Sequence, residues 1–394
     1  MPGSPRHLAP FAALSASYFA HIGFFNPYLP LWLKDLGYSL VAISLLTAVQ
    51  SATRLIAPYG WGALSDHTGE RVKLLRYGAT AALLVSCGLW IEGGFWWIAA
   101  VLFVMFLHTS AMMPMSEAAM AHLVSSGGAF DAKRYGRVRL WGSLGFLVTV
   151  LAAGTWFEHF GMGHFPAWTV LSLVAVTLSV WNLPDLKESV LAHEKKQPIL
   201  PILKKRPVQW FFAALFFHVL SHMGIYIFFS LYLDALGYSK SVIGLLWAVS
   251  VLVEIVWFFT QSRWLPVLSL TAWLVLCGLL MVLRMGLTAT SAAVWPLLLL
   301  AQCLHAFTFA AHHSVCIALL SHHFPGQLRG RGQALYAVLG YGLTGVLGGL
   351  FGGLLSARLG LTSVFWATLG TSLLATACAW QVWRLRHRLH QTLG

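Results

Sequence analysis

Apolar residues in this chain come in long runs broken by short polar connections. A membrane span needs roughly 20 apolar residues at about 1.5 Å rise each. Twelve runs meet that length, near 9–33, 40–64, 73–91, 95–124, 136–159, 165–183, 208–233, 241–262, 265–285, 292–321, 331–357 and 361–383. Runs of this length predict helices, because the strands of an outer-membrane barrel alternate over about ten residues. The first run follows Arg6 and continues through Tyr18, His21 and Pro27 to Leu33 without a clear small-residue cleavage site. It reads as the first spanning helix and not as a cleaved leader.

Composition agrees with the pattern. Hydrophobic residues make up 58% and charged residues 9% of 394, against roughly 25% charged in an ordinary soluble domain. Soluble enzymes, disulfide scaffolds and disordered chains are excluded. The five cysteines (Cys87, Cys277, Cys303, Cys316, Cys378) sit in apolar runs and form no CxxC pair, so they read as small buried hydrophobes. The net charge of +13 would suit nucleic acid, but its distribution argues against that partner. Arg71, Lys73, Arg76, Lys133, Arg134, Arg137, Lys187, Lys195, Lys196, Lys204, Lys205, Arg206, Arg263, Arg329 and Arg331 fall in even-numbered connections, and Arg6, Arg384, Arg386 and Arg388 in the tails. The odd-numbered connections hold only Lys34, Lys240 and Arg358. Basic residues concentrate on the cytoplasmic side, so both termini are expected there, in a multi-pass inner-membrane protein. The longest connection, 184–207, is polar and holds Pro184, Pro198, Pro201 and Pro207. It reads as a cytoplasmic linker between six-helix halves, 1–183 and 208–394.

An internal repeat supports the division. Residues 31–55 and 231–255 match at eleven of twenty-five positions without a gap, including Leu-Gly-Tyr-Ser at 36–39 and 236–239. Leu107-His108 recurs as Leu304-His305 in the fourth helix of each half. Two parallel six-helix repeats are the plan of the major facilitator architecture. The predicted fold class is therefore an all-α integral membrane protein of two six-helix bundles in pseudo-two-fold relation.

Between helices 2 and 3 the chain reads Gly62-Ala-Leu-Ser-Asp66-His-Thr-Gly69-Glu-Arg71-Val-Lys73. It resembles the major facilitator loop signature, with Glu70 displacing the basic residue by one place. The resemblance implies a conformational latch of Gly62, Asp66, Gly69, Arg71 and Lys73. The glycines suit a tight turn and close helix approach, and Asp66 can pair with Arg71 or a helix N-terminus. The second-half loop, Gln261-Ser-Arg263-Trp-Leu-Pro266, lacks the motif.

Ionisable residues inside spans cost about 2.5–3.5 kcal/mol each on insertion scales and are functional candidates by default. They are Arg54, Glu117, Arg139, Glu254, Arg284 and several histidines. In the repeat, Arg54 aligns with Glu254, Glu117 near Ser314 and Arg139 near Ala334. The halves do not copy these charges, so the bare scaffold does not require them. Glu117 and Arg139 read either as a structural ion pair or as partners for polar substrate atoms, Arg offering a planar fork to a carboxylate.

Tyr135-Gly-Arg-Val-Arg139-Leu-Trp141-Gly142-Ser143-Leu-Gly145-Phe146 is similar to the fifth-helix motif of the phenylpropionate permease and lactose permease families. Pro114-Met-Ser-Glu117 resembles their fourth-helix motif. Glu254, Arg284 and Leu304-His305 fall where those families place a Glu, an Arg and a Leu-His. His305 to Phe309 followed by His312-His313 resembles the phenylpropionate group in particular. The resemblance implies substrate binding by Arg139, Glu117, Phe146 and Trp141, with Asn26 and Tyr28 as further cavity candidates beside His21 and Arg54. It implies proton coupling among Glu254, His305, Arg284, Glu117, His312 and His313. Neighbours on a helix point about 100° apart, so His312 and His313 do not share one face. Thr308 and Phe146 stand where lactose-type permeases carry a titrating Glu and a sugar-stacking Trp, which argues against galactosides.

The expected function is secondary active, proton-coupled uptake of a small organic solute such as an aromatic carboxylate, by alternating access. The substrate would bind near the midplane between the halves. No Walker loop is present, so the energy source is expected to be the proton gradient, with no cofactor, no metal and no enzymatic activity. The expected partners are a small-molecule substrate, protons and the lipid bilayer, with the monomer as functional unit. Sugar, nucleoside or siderophore-type uptake and proton-driven drug efflux are the alternatives within transport. A haem protein using His218 and His222, or a membrane-embedded enzyme, is the alternative outside it.

Overall fold

The computed structural model describes the backbone over 5–126, 129–130, 132–185, 198–325 and 328–391, and side chains over 8–120, 137–185, 198–325 and 328–385. Most of the expected linker (186–197, with Lys187, Lys195 and Lys196) lies outside these residues, as do the side chains of Arg6, Lys133, Arg134, Arg386 and Arg388.

Twelve helices among the described residues are long and apolar enough to cross a membrane. They are α1 (Leu8–Asp35), α2 (Leu40–Thr68), α3 (Arg71–Trp90), α4 (Gly94–Met120), α5 (Arg137–Phe160), α6 (Met162–Trp181), α7 (Arg206–Ala235), α8 (Lys240–Val267), α9 (Leu270–Ser291), α10 (Trp295–His323), α11 (Arg329–Leu359) and α12 (Leu361–Leu385). The protein is a multi-pass membrane protein, as its sequence predicts. Ser125 and Ser126 pair with Phe130 and Ala129 in a short antiparallel link before α5. One span is displaced from its prediction. The ninth was expected over 265–285 and runs from 270 to 291. Leu265–Val267 makes a 3₁₀ turn that prolongs α8, and Ser269 then caps α9 by accepting from the Ala272 N–H at 3.3 Å. The hydrophobic run crosses a turn that polarity alone does not mark.

The described residues form two compact units, Met1–His193 with Ser239–Ala248, and Glu194–Tyr238 with Val249–Gly394. In the first, α1 packs on α5 and α6, and α3 on α4 and α6; in the second, α7 packs on α11 and α12, and α9 on α10 and α12. The packing repeats at a shift of six helices. The Leu-Gly-Tyr-Ser loops repeat in atomic detail. Gly37 and Gly237 have φ of 84° and 86°, a left-handed conformation natural to glycine. The Tyr38 N–H donates to Leu33 O at 3.1 Å and the Tyr238 N–H to Leu233 O at 3.0 Å. Ser39 and Ser239 then accept from the Ala42 and Val242 N–H groups, each at 3.3 Å.

Candidate functional site

Small residues bring α1 and α5 together, which is how membrane helices pack closely. A Cβ on Gly23 would lie 2.8 Å from the Phe146 Cα and O, and one on Gly145 would strike the Ala16 carbonyl. Gly145 and the Phe146 backbone, both in the fifth-helix motif, are thus helix-packing surface. The same crossing sets the Arg139 guanidinium 4.1 Å over the Phe19 ring, a cation–π contact. Phe146 is half-buried beside this crossing, while Trp141 is 54% exposed and stacks on no ring among the described residues.

Of the two readings of Glu117 and Arg139, the structural ion pair is absent among the described residues. Glu117 is half-buried on α4. Of Arg54, Arg139 and Glu117, two are cations and one is an anion, and none has a salt-bridge partner among the described residues. The three therefore leave one net positive charge inside the spans of this unit. Arg54 lines a small cavity, with room for about one water, together with Tyr18, His21, Asn26, Gln50 and Ser110.

Tyr28 departs from its expected role. It is fully buried, its hydroxyl lies 3.2 Å from Val150 O and 3.1 Å from Lys240 O, and its ring packs on Phe157 at 5.3 Å. A tyrosine so enclosed clasps helices and offers nothing to a solute. Asn26 does line the cavity.

The second unit holds a network that the sequence only partly reveals. Arg284 is 0% exposed. Its Nη1 lies 3.0 Å from His222 Nε2, 3.0 Å from His305 Nδ1 and 2.9 Å from Thr308 Oγ1, and Nη2 lies 3.4 Å from Gln302 Oε1. A guanidinium only donates. Where His222 Nε2 or His305 Nδ1 accepts from it, that ring is neutral. Nη1 carries two hydrogens for three acceptors, so one is always left waiting. With Nδ1 accepting, His305 carries its proton on Nε2, which faces Glu254 Oε2 at 3.5 Å. The order Glu254, His305, Arg284, His222 forms a chain in which a neutral imidazole separates the buried cation from its carboxylate.

Local backbone supports the network. The π-helical turn Ala306–Ala311 follows His305 directly, and π-turns recur at functional sites. Within it, Thr308 O accepts from His218 Nε2 at 2.7 Å. The His218 ring stacks on His312 at 3.6 Å, and the His312 ring nitrogens lie 3.6 and 3.8 Å from Cys316 Sγ. His313 points elsewhere, with Nδ1 2.8 Å from the Tyr336 hydroxyl. The two neighbours do face apart, as helix geometry requires. The sequence reading missed the roles of His222, Gln302 and Thr308. The one-turn spacing of His218 and His222 was the available signal, and it pointed toward haem; Nε2 of each is committed to Thr308 O or Arg284.

The loop after α2 closes as expected. Gly69 ends the helix at φ 68°, with its N–H on Ser65 O at 2.8 Å. Arg71 Nη2 meets Asp66 Oδ1 at 3.0 Å, and Lys73 Nζ meets Glu70 Oε2 at 3.0 Å. Gly62 differs from its expected part: a Cβ there would meet nothing within 4 Å, so no close approach within the unit requires it.

The chain is 25% identical over 355 residues to the probable 3-phenylpropionic acid transporter of Escherichia coli (strain K12), covering 89% of this chain and 91% of that one. It is 24% identical over 350 residues to the maltose permease of Geobacillus stearothermophilus, covering 88% and 87%. A mutant of the nucleoside transporter NupG superposes with a TM-score of 0.82 at 14% identity, over 95% of this chain and 99% of that one. A bacterial homolog of the human lysosomal transporter Spinster, inward-facing and unoccupied, superposes with a TM-score of 0.73 at 15% identity, over 97% and 98%. At these identities the solved structures show the fold alone. The MFS_1 like family model matches residues 14–367, and with twelve membrane spans in two repeated units the chain belongs to that family of major facilitator transporters.

Proposed function

We propose that this transporter takes up a small organic carboxylate, aromatic in character, by proton symport across the inner membrane. It would work as a monomer through alternating access, with both termini cytoplasmic and the proton gradient as its energy source. Arg139 and Glu117, with Phe146 beside them, form the substrate group in this reading. Glu254, His305 and Arg284 form the coupling group. The observation that carries the coupling is the chain from Glu254 through neutral His305 to the buried Arg284. Intramembrane carboxylates and histidines of this kind serve proton relays. Protonating Glu254 would remove the charge that His305 Nε2–H faces and loosen the hold on Arg284.

The carboxylate substrate is supported by the net positive charge of Arg54, Arg139 and Glu117 and by the relative named for 3-phenylpropionic acid. The maltose permease favours sugar as the second reading. The test is uptake of radiolabelled 3-phenylpropionate into proteoliposomes under an imposed pH gradient, acid outside. Accumulation that collapses with a protonophore and is unaffected by excess maltose supports the reading. Accumulation of maltose instead, or export of the aromatic acid, overturns it.

A further inference from the structure

Gly23, Gly142 and Gly145 stand at the crossing of α1 and α5, and they meet different neighbours. A Cβ on Gly23 or Gly145 would run into backbone, at Phe146 or at the Ala16 carbonyl. Those two let the helices touch. The three nearest neighbours of a Cβ on Gly142 would all be side-chain atoms: Phe19 Cδ2 at 2.6 Å, Ser15 Oγ at 2.7 Å and Arg139 Nη1 at 3.0 Å. Gly142 therefore leaves room for a guanidinium. The register explains the meeting, since residues three or four apart share a helix face. Ser15 and Phe19 lie on one face of α1, and Arg139 and Gly142 on one face of α5. The Phe19 ring is itself braced. The Tyr18 ring meets it edge-on at 5.4 Å, and the Tyr18 hydroxyl donates to Thr109 O at 3.2 Å on α4. The contact of Arg139 Cζ with this ring, at 4.1 Å, takes up none of the guanidinium's hydrogen-bond donors. Arg139 has no ion pair or side-chain hydrogen bond among the described residues. Its fork is held in place without being used.

We propose that Phe19 and Gly142 are positioning residues for Arg139, and that they set the affinity for a carboxylate through it. Phe19 holds the guanidinium by its ring, and the missing side chain at 142 supplies the room in which it lies. A binding group ordered in advance costs less to order when the ligand arrives. The inference rests on the reading of Arg139 as the carboxylate's partner and adds the two residues that aim it.

The test is calorimetric binding of 3-phenylpropionate and of its amide to purified protein in detergent. The readout is the ratio of the two affinities, because a general loss of packing weakens both ligands alike. The proteins are wild type, Arg139→Ala, Phe19→Leu, Phe19→Tyr, Gly142→Ala and the double variant Phe19→Leu/Arg139→Ala. Wild type should prefer the acid by about tenfold or more, as a charge-assisted pair implies. Arg139→Ala should abolish the preference. Phe19→Leu should cut it about fivefold, the scale of a cation–π contact, and Phe19→Tyr should keep it within about twofold because the ring remains. Gly142→Ala should cut it as Phe19→Leu does, since the new methyl displaces the flexible head of Arg139 from the ring. In the double variant, the acid affinity should stay within about twofold of Arg139→Ala, because a residue that acts through Arg139 has nothing left to act on. A preference absent from wild type overturns the carboxylate reading, and one kept in Arg139→Ala overturns the assignment of Arg139; the positioning role falls with either. A preference lost in Arg139→Ala but intact in Phe19→Leu overturns the positioning role alone, whether or not Gly142→Ala folds. A folded Gly142→Ala with intact preference removes Gly142 from the pair. A further loss in the double variant shows that Phe19 touches the solute itself, and that too overturns its positioning role.

Discussion

The two units share one packing plan and treat their charges in opposite ways. In the first, Arg54, Arg139 and Glu117 are half-buried and without salt bridges among the described residues. In the second, Arg284 is fully buried, and Nη1 and Nη2 together reach four acceptors. The backbones differ as well. The π-helical turns found among the described residues, Gly224–Phe228, Ala306–Ala311 and Tyr336–Leu343, all lie in the second unit. An uncommitted charge in a membrane is costly, and it keeps its value only if a ligand uses it. A committed charge is part of the fold, and its energy moves when a neighbour gains or loses a proton. Under the proposed function the contrast is a division of labour: the first unit would offer charges to a solute, and the second would hold a charge in a proton-sensitive frame.

The sharpest way to break this contrast is to compare stabilities. Arg284→Met should destabilise the protein by about 3–5 kcal/mol, the range for removing one member of a buried charge network and stranding the other. Here Glu254 is the stranded member, and His222, Gln302 and Thr308 lose their donor. Arg139→Met should change the ligand-free Tm little, because only a contact over Phe19 is lost. Thermal unfolding in one detergent measures both. Equal losses in the two variants would erase the distinction between committed and offered charge.

Binding should reverse that ranking. Arg139→Ala should weaken organic-acid binding by roughly 2–5 kcal/mol, as for loss of a charge-assisted partner in a partly dry site, which is about 30-fold or more. Arg139→Lys should fail nearly as badly, because the point charge lacks the planar fork. Affinities within about twofold of wild type in folded Arg139→Ala would remove this residue from the substrate group. Glu117→Gln sharpens the result: partial binding points to a positioning role, and exchange without accumulation to a proton role.

The Glu254 variant should have a smaller effect on binding and a selective effect on coupling. Glu254→Gln keeps an oxygen facing His305 Nε2–H and removes the titrating group. Substrate affinity should stay within about threefold, a shift well under one kcal/mol. Counterflow exchange should persist while uphill accumulation disappears, and His305→Asn should behave alike. Wild-type accumulation ratios in both variants would place the proton elsewhere.

Part of this contrast is legible in the sequence. Hydropathy marks twelve spans because each run exceeds a bilayer width, and it misplaces the ninth because Leu265, Pro266, Val267 and Leu268 are apolar in a turn. The intramembrane charges stand out because they are rare. Their partners do not, because pairing depends on helix rotation, which a sequence read one helix at a time does not report. Tyr28 looked like a cavity residue by polarity alone. Its hydroxyl is taken by carbonyls of Val150 and Lys240, far along the chain. Thr308, noted as a missing glutamate, turns out to bond Arg284 through chemistry that a carboxylate comparison overlooks.

The smallest expected effect belongs to the loop that only the first unit carries. Asp66 and Arg71 pair at 3.0 Å, with 60% of the Asp66 side chain and 12% of the Arg71 side chain exposed. Exposed ion pairs contribute about 0–1 kcal/mol, so Asp66→Asn should hardly move the Tm. Substrate affinity should also hold, since the pair lies at the α2–α3 turn and the charged candidates lie within the spans. The transport rate is the quantity expected to change, by a few fold, because a latch acts on the exchange between conformations and not on the solute. Raising salt should reproduce part of the change in wild type, as screening weakens an exposed pair, and should do little more in Asp66→Asn. A folded Asp66→Asn that loses substrate binding while its conformational exchange stays at the wild-type rate would show that the loop shapes the site instead of gating it.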